Sequence, residues 1–261
     1  MAETWERIKI YLKEANIEFM GNGQDRPFGL ASKLMAEFLG DLIFVFIGTL
    51  AALNGNENNV LTHAAFGHGL TIFVLVCSLG HISGGHFNPA VTLSVTLAGK
   101  LHPLLLVPYW LAQLSGGFVG ALLVRAVTTL DQYNTLVGGA TIPAPGDHWH
   151  QNLVTELILT MILCQTVLMC AVDTDKNVLA PLAIGLTVAL DIFGGGSISG
   201  ASMNPARSLG PGVAATILST VQPTVIWNYH YIYWAGPFAG ATVAAFIYRT
   251  FFAQSENRLL P

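Results

Sequence analysis

Charge is what this chain most lacks. Lysine and arginine number 11 and aspartate and glutamate 15, so only 10% of the 261 residues are charged. A soluble domain carries roughly 25%. The shortage speaks against a water-soluble enzyme. The mild net charge of −4, with no basic block, gives no footing for nucleic acid. Cysteine is equally sparse. Cys77, Cys164 and Cys170 all lie in apolar runs and read as small buried hydrophobes, neither a disulfide framework nor a metal site. There is no Asn-x-Ser/Thr sequon, and residues 1–33 are polar and charged, unlike a cleavable leader. No catalytic set stands out, and no cofactor is expected.

What is there is hydrophobic length. Hydrophobic residues make up 52% of the chain, and the mean hydropathy is +0.56. A bilayer-crossing helix needs about 20 apolar residues. Six stretches qualify: Leu34–Leu53, Leu61–Gly80, Pro103–Val127, Asn152–Val172, Leu179–Phe193 and Tyr229–Phe252. Two shorter apolar stretches, Asn88–Ala98 and Asn204–Ile217, would each cover about half of a roughly 30 Å hydrocarbon core. Both open with Asn-Pro-Ala, a helix-start signal, since Asn is a favoured N-cap and Pro suits the first turn. The fold expected is an all-α membrane protein with six transmembrane helices and two re-entrant half-helices.

Positive charge orients it. Arg7, Lys9, Lys13, Arg26, Lys33, Lys100, Lys176, Arg249 and Arg258 fall on one side, and only Arg125 and Arg207 on the other. The positive-inside rule makes both termini cytoplasmic, in the plasma membrane or an organelle membrane.

The halves repeat. "ISGGHFNPA" (82–90) aligns with "ISGASMNPA" (198–206) at an offset of 204 − 88 = 116, and Gly69-Leu70-Thr71 meets Gly185-Leu186-Thr187 at the same offset. Glu37 and Glu156 stand early in each half, and Tyr109-Trp110 and Tyr233-Trp234 late. Three spans per half is odd, so the halves enter the membrane with opposite polarity as an inverted repeat. The expected division is a cytoplasmic tail 1–33, a first repeat 34–127 with half-helix 88–98, and an extracytoplasmic connection 128–151. A second repeat 152–252 with half-helix 204–217 and a cytoplasmic tail 253–261 follow. The connections 54–60 and 128–151, rich in polar residues, Gly and Pro, read as surface loops.

A helix that starts at mid-membrane exposes N–H groups that hydrocarbon cannot satisfy. Such backbone is tolerated only inside protein or beside a wet cavity. The two starts therefore mark a hydrated path. Carbonyls of Gly84, Gly85, His86, Ser199 and Gly200 would line its approaches, and Asn88 and Asn204 would donate at its centre. Glu37 and Glu156 would hold the re-entrant turns by accepting from loop N–H groups. The alternative for these acids is a proton relay.

The two Asn-Pro-Ala motifs, Asn88-Pro89-Ala90 and Asn204-Pro205-Ala206, with six spans, an inverted repeat and Arg207 after the second motif, resemble the aquaporin (major intrinsic protein) family over about residues 34–252. "HGL", "LDIFGGG" and "YHYIYWAGP" are most similar to its aquaporin-8 branch. The resemblance implies a homotetramer with one pore per subunit, passing water and small neutral solutes. It also implies an outer selectivity filter at His68, Ile192, Ala201 and Arg207. A strict water channel of this family usually has an aromatic residue first and His second; here His68 comes first and Ile192 second, like the ammonia-conducting branches, which often pass hydrogen peroxide. Ser208, where glycerol channels carry Asp, speaks against glycerol as main solute.

Blander readings stand beside these. His68 and Ile192 could be ordinary core residues, and Arg207 could snorkel to the interface. His81 and His86 either line the inner vestibule or bond loop carbonyls. "DHWH" (147–150) reads as a solvated loop sooner than a metal ligand set. Trp227, Tyr229, Tyr231, Tyr233 and Trp234 read as an interfacial belt. "TWERIKIYLKEANIEF" (4–19) reads as a surface helix or a frayed tail. Asp191 has no partner visible in sequence. Two other functions stand as alternatives: a secondary transporter, which also uses inverted repeats and broken helices, and, as the resemblance implies through a family branch that joins cells, an adhesive junctional protein of low conductance.

Overall fold

The computed structural model describes residues 28–144, 146, 148–173, 177–253 and 259. The 4–19 stretch and Asp147 lie outside the described residues. The helices are α1 (Leu30–Leu53), α2 (Val60–Ser83), α3 (Pro89–Leu97), α4 (Leu106–Val127), α5 (Leu130–Thr135), α6 (Trp149–Val167), α7 (Ala180–Gly195), α8 (Pro205–Leu218), α9 (Pro223–Trp227) and α10 (Ile232–Ile247). One π turn extends α6 through Leu168–Val172 and another extends α10 through Tyr248–Phe252. There is no strand among the described residues.

Four stretches are long and apolar enough to cross a bilayer: Leu30–Leu53, Val60–Ser83, Pro103–Val127 and Trp149–Val172. The apolar α7 is shorter, at 16 residues. With its π turn, α10 reaches Phe252. The outward faces carry exposed Val74, Val107, Leu111, Leu190 and Phe246, as a lipid solvent requires.

The two halves pack by one scheme. In the first half α1 lies against α2 and α4; in the second, α6 lies against α7 and α10. The halves meet where α2 crosses α7. A Cβ on Gly69 would sit 2.6 Å from the Gly185 carbonyl oxygen, and one on Gly185 2.5 Å from the Gly69 oxygen. Only glycine permits that mutual approach, the small-residue contact by which helices associate in lipid. Half-helix α3 packs on α10 and α8 on α4, so each half-helix rests on the last long helix of the other half.

Several boundaries differ from the sequence reading. Helix α1 begins at Leu30, since nothing in Ala31-Ser32-Lys33 stops a helix at an interface. Helix α10 begins at Ile232, because residues 228–231 form a turn after α9. The connection 128–151 is not simply a surface loop. Tyr133, Gly138, Gly139 and Thr141 are buried, and the Ala144 N–H donates to the Ile198 carbonyl at 2.9 Å. The loop folds inward because the second re-entrant turn satisfies its polar groups. Cys77 is exposed on the outer face of α2, unlike buried Cys164. The aromatic series also splits: Tyr229 and Tyr231 are exposed, while Tyr233 is fully buried.

Candidate functional site

Each re-entrant loop hangs on one buried carboxylate. Glu37 accepts at Oε1 from the Ser83 hydroxyl (2.6 Å) and the His86 N–H (3.0 Å), and at Oε2 from the Phe87 N–H (2.7 Å). Glu156 does the same for the loop residues 116 positions on, accepting at Oε1 from the Ser199 hydroxyl (2.7 Å) and the Ser202 N–H (2.8 Å), and at Oε2 from the Met203 N–H (2.7 Å). Neither carboxylate is exposed. Loop N–H groups that lipid depth would leave orphaned are paired this way.

The turns above the carboxylates share a backbone path. Gly84 and Gly200 have φ of 100° and 82°, Gly85 and Ala201 of 65° and 45°, and Phe87 and Met203 of 44° and 55°. Left-handed φ at Phe87, Ala201 and Met203 is unusual for side-chain-bearing residues and is held by the surroundings. Tyrosines seen in the sequence only as a repeat pair tie down the far ends. Tyr109 donates to the Ser83 carbonyl (2.8 Å) and Tyr233 to the Ser199 carbonyl (2.7 Å).

The half-helices start as the Asn-Pro-Ala signals foretell. Asn88 Oδ1 accepts from the Ala90 N–H at 2.8 Å, and Asn204 Oδ1 from the N–H groups of Ala206 (2.9 Å) and Arg207 (3.3 Å). Pro89 and Pro205 occupy the first helical positions. With the oxygens used for capping, the amide nitrogens cross between the halves: Asn88 Nδ2 donates to the Met203 carbonyl (2.8 Å) and Asn204 Nδ2 to the Phe87 carbonyl (2.8 Å). The two caps thus meet. A cavity of about 30 Å³ adjoins both, walled by Phe44, His86, Val188 and Met203 among others. That is room for one or two waters.

The four filter candidates come from α2 (His68), α7 (Ile192), the second loop (Ala201) and α8 (Arg207). His68 is 2% exposed. Its Nδ1 lies 2.8 Å from the Ala64 carbonyl, its Nε2 has no partner, and its ring meets Phe44 edge-on at 5.1 Å between centroids. Ile192 and Ala201 belong to the same apolar cluster as Phe44. Half-buried Arg207 donates from Nη1 to the Gly139 carbonyl at 2.6 Å. Gly139 was not legible in the sequence, because a loop carbonyl 68 positions away carries no side-chain signature. Ser208 joins Ser202 and Thr141 in a buried hydroxyl chain.

Among the loop carbonyl candidates, Gly85 and His86 border the central cavity. Gly84 is exposed, and Gly200 backs onto Thr141. His86 is buried with Nδ1 3.1 Å from the Thr92 hydroxyl, whereas His81 is exposed beside Phe28. The rings of His148 and His150 stack at 5.5 Å. Asp191 is buried, with Oδ2 unpartnered.

Sequence reading missed three groups. Gln113 Nε2 donates to Glu37 Oε2 (2.7 Å) and to the Thr92 hydroxyl (2.8 Å). Asp41, one turn past Glu37 and fully buried, accepts at Oδ1 from Asn204 Nδ2 at 3.3 Å. An acid at i+4 from another acid in an apolar helix was the available signal. In the turn before α10, His230 is buried between Trp227 and Tyr233 with neither ring nitrogen hydrogen-bonded. Burial lowers its pKa to about 4. In the connecting loop, burial raises the pKa of the Tyr133 phenol, against the opposing pull of Arg125, whose guanidinium lies 5.7 Å from the ring centroid.

A sequence model of the family "Major intrinsic protein" matches residues 26–248. Aquaporin-8 of Rattus norvegicus is 38% identical over 250 residues, covering 95% of this chain and 92% of the relative. Aquaporin-8 of Mus musculus is 40% identical over 228 residues, covering 87% and 84%. The X-ray structure of the aquaglyceroporin from Plasmodium falciparum superposes with a TM-score of 0.72 at 25% identity, covering 84% of this chain and 96% of that one.

Proposed function

The chain belongs to the major intrinsic protein family, and on that premise we propose that it carries water, ammonia and hydrogen peroxide down their gradients while excluding protons and ions. As a member of that family it is an integral multi-pass membrane protein that acts as a passive channel for water and small solutes, and not as an enzyme.

The observation that carries this proposal is the meeting of the two capping asparagines beside a water-sized cavity. Two helix N-termini converge on that point with their positive partial charge. A cation or proton there faces both dipoles, while a neutral molecule can accept an N–H donor and pass. The role assigned to Glu37 and Glu156 is to hold the loops that bring the two caps together. The matched hydrogen bonds of the two acids favour that role over a proton relay.

His68, Ile192, Ala201 and Arg207 form the outer filter in this reading. Arg207 repels cations, and its anchorage to Gly139 supports a fixed guanidinium. Ile192 makes one wall apolar, which favours ammonia and hydrogen peroxide alongside water. Ser208, engaged with Ser202 and Thr141, puts no carboxylate beside Arg207, and this supports a minor role for glycerol. The subunits are assigned to a homotetramer, with both termini cytoplasmic.

Crossed packing of each half-helix on the opposite half disfavours the rocking halves of a secondary transporter. The test is stopped-flow light scattering on proteoliposomes, comparing water, ammonia, hydrogen peroxide, urea and glycerol. Water, ammonia and hydrogen peroxide should permeate above protein-free vesicles, with glycerol far slower. Water flux alone would remove the wider solute range. Uptake against a gradient would replace the channel with a transporter.

A further inference from the structure

The two asparagines at the meeting point are not equivalent, and the difference lies in one residue behind them. Glu37 and Glu156 make matching hydrogen bonds, so the residues one turn later, Asp41 and Thr160, occupy matching places. Both are fully buried. Asp41 Oδ1 accepts from Asn204 Nδ2 at 3.3 Å, while Thr160 Oγ1 has no hydrogen-bond partner. An amide nitrogen has two hydrogens. Those of Asn204 go to the Phe87 carbonyl and to Asp41. Asn88 spends one on the Met203 carbonyl and keeps the other for the cavity it borders.

We propose that Asp41 is a specificity-determining positioning residue: by taking the second amide hydrogen of Asn204 it leaves the channel centre with a single donor, that of Asn88, and so favours solutes with a single acceptor site. Water has two lone pairs and can satisfy two converging donors. Ammonia has one. At a two-donor centre each passing ammonia strands one buried N–H, and stranding a donor costs free energy. At a one-donor centre ammonia loses nothing against water, and its own N–H groups remain free for the loop carbonyls. The inference rests on the ammonia reading above and gives it a residue-level cause.

The test measures ammonia and water permeability of the full chain in proteoliposomes, wild type against D41V and D41N. Valine has the shape of the threonine at the matching place and accepts no hydrogen bond. Asparagine keeps the acceptor without the carboxylate. D41V should lower the ammonia-to-water permeability ratio about fivefold, the factor one unpaired donor is worth, while D41N holds the wild-type ratio. If D41V does not fold, D41A frees the same hydrogen and should shift the ratio the same way. A D41V or D41A ratio equal to wild type overturns the proposal, as does a D41N ratio that falls as far as theirs. Wild-type vesicles no more permeable to ammonia than empty ones would overturn the ammonia reading itself, whatever the variants do.

Discussion

Asn88 donates its side-chain amide to the Met203 carbonyl 115 positions away, and Asn204 returns the bond to the carbonyl of Phe87. Each half of the repeat thereby fixes the cap of the other. The carbonyls that accept are turned into place by left-handed backbone at Phe87 and Met203. Those two turns are held by the N–H bonds to Glu37 and Glu156. Support for the centre therefore passes from acid to loop to asparagine, and the first expected outcome tests its outermost link.

Glutamine fits where Glu37 and Glu156 stand but accepts at only one end. Glu156→Gln should leave the Met203 N–H facing an NH₂ group, at a cost of about 1–3 kcal/mol. Glu37→Gln should cost more, because Oε2 there accepts from Gln113 as well as from Phe87. Thermal unfolding of the purified protein in detergent checks this. Both Tm values should fall, that of Glu37→Gln further. Unchanged Tm values would deny the loops this support, and equal falls would deny Gln113 its added share.

Gly48 is where α1 makes room for His68. A Cβ at Gly48 would lie 2.3 Å from His68 Nε2. Gly48→Ala must turn the imidazole away from Phe44 and the Ala64 carbonyl, and water permeability per folded channel should fall severalfold. In the double variant Gly48→Ala, His68→Ala the clash is gone and flux should return. A double variant as slow as the single one would show that Gly48 acts on something other than His68.

Removing two of the side chains proposed for the outer filter should open the outer mouth. His68→Ala combined with Arg207→Val is expected to admit larger solutes or pass cations, read as urea and glycerol flux and as current across a planar bilayer. Selectivity identical to wild type would contradict the filter assignment.

His230 sets an acid limit on stability. Its pKa is held at about 4 by burial, against roughly 6.5 in an unfolded chain. The native state prefers the neutral ring, so this contribution is intact above about pH 6.5 and declines as the pH falls towards 4. His230→Phe, which keeps a ring between Trp227 and Tyr233, should flatten the acid side of the Tm–pH curve. Parallel curves for the two proteins would remove His230 as the cause.

Much of this was legible in the sequence because it repeats. A motif that occurs twice at one offset announces itself, and Asn-Pro-Ala is also local cap chemistry: the same residues that signal the start make the hydrogen bond that starts it. Glu37 and Glu156 do not share that offset and could be read because each is an acid in an apolar run early in its half. What escaped was unrepeated or non-local. Asp41 has Thr160 as its counterpart, so the alignment of the halves passes over it. Gln113 faces Glu37 only once the α1–α4 crossing exists. Gly139 serves Arg207 through a backbone carbonyl, which composition cannot flag, and the burial of Tyr133 contradicts the polar look of its loop. Those features depend on which helices meet, and that is decided by packing across the two halves.

The central claim is a hydrated file through two facing asparagine caps that conducts without carrying charge. Its most direct test measures osmotic water flux and electrical current on the same reconstituted preparation. The account predicts water permeability well above empty vesicles, with weak temperature dependence, and no ionic or proton current above the lipid background. Water flux equal to that of empty vesicles, or flux accompanied by a proportional current, would contradict it.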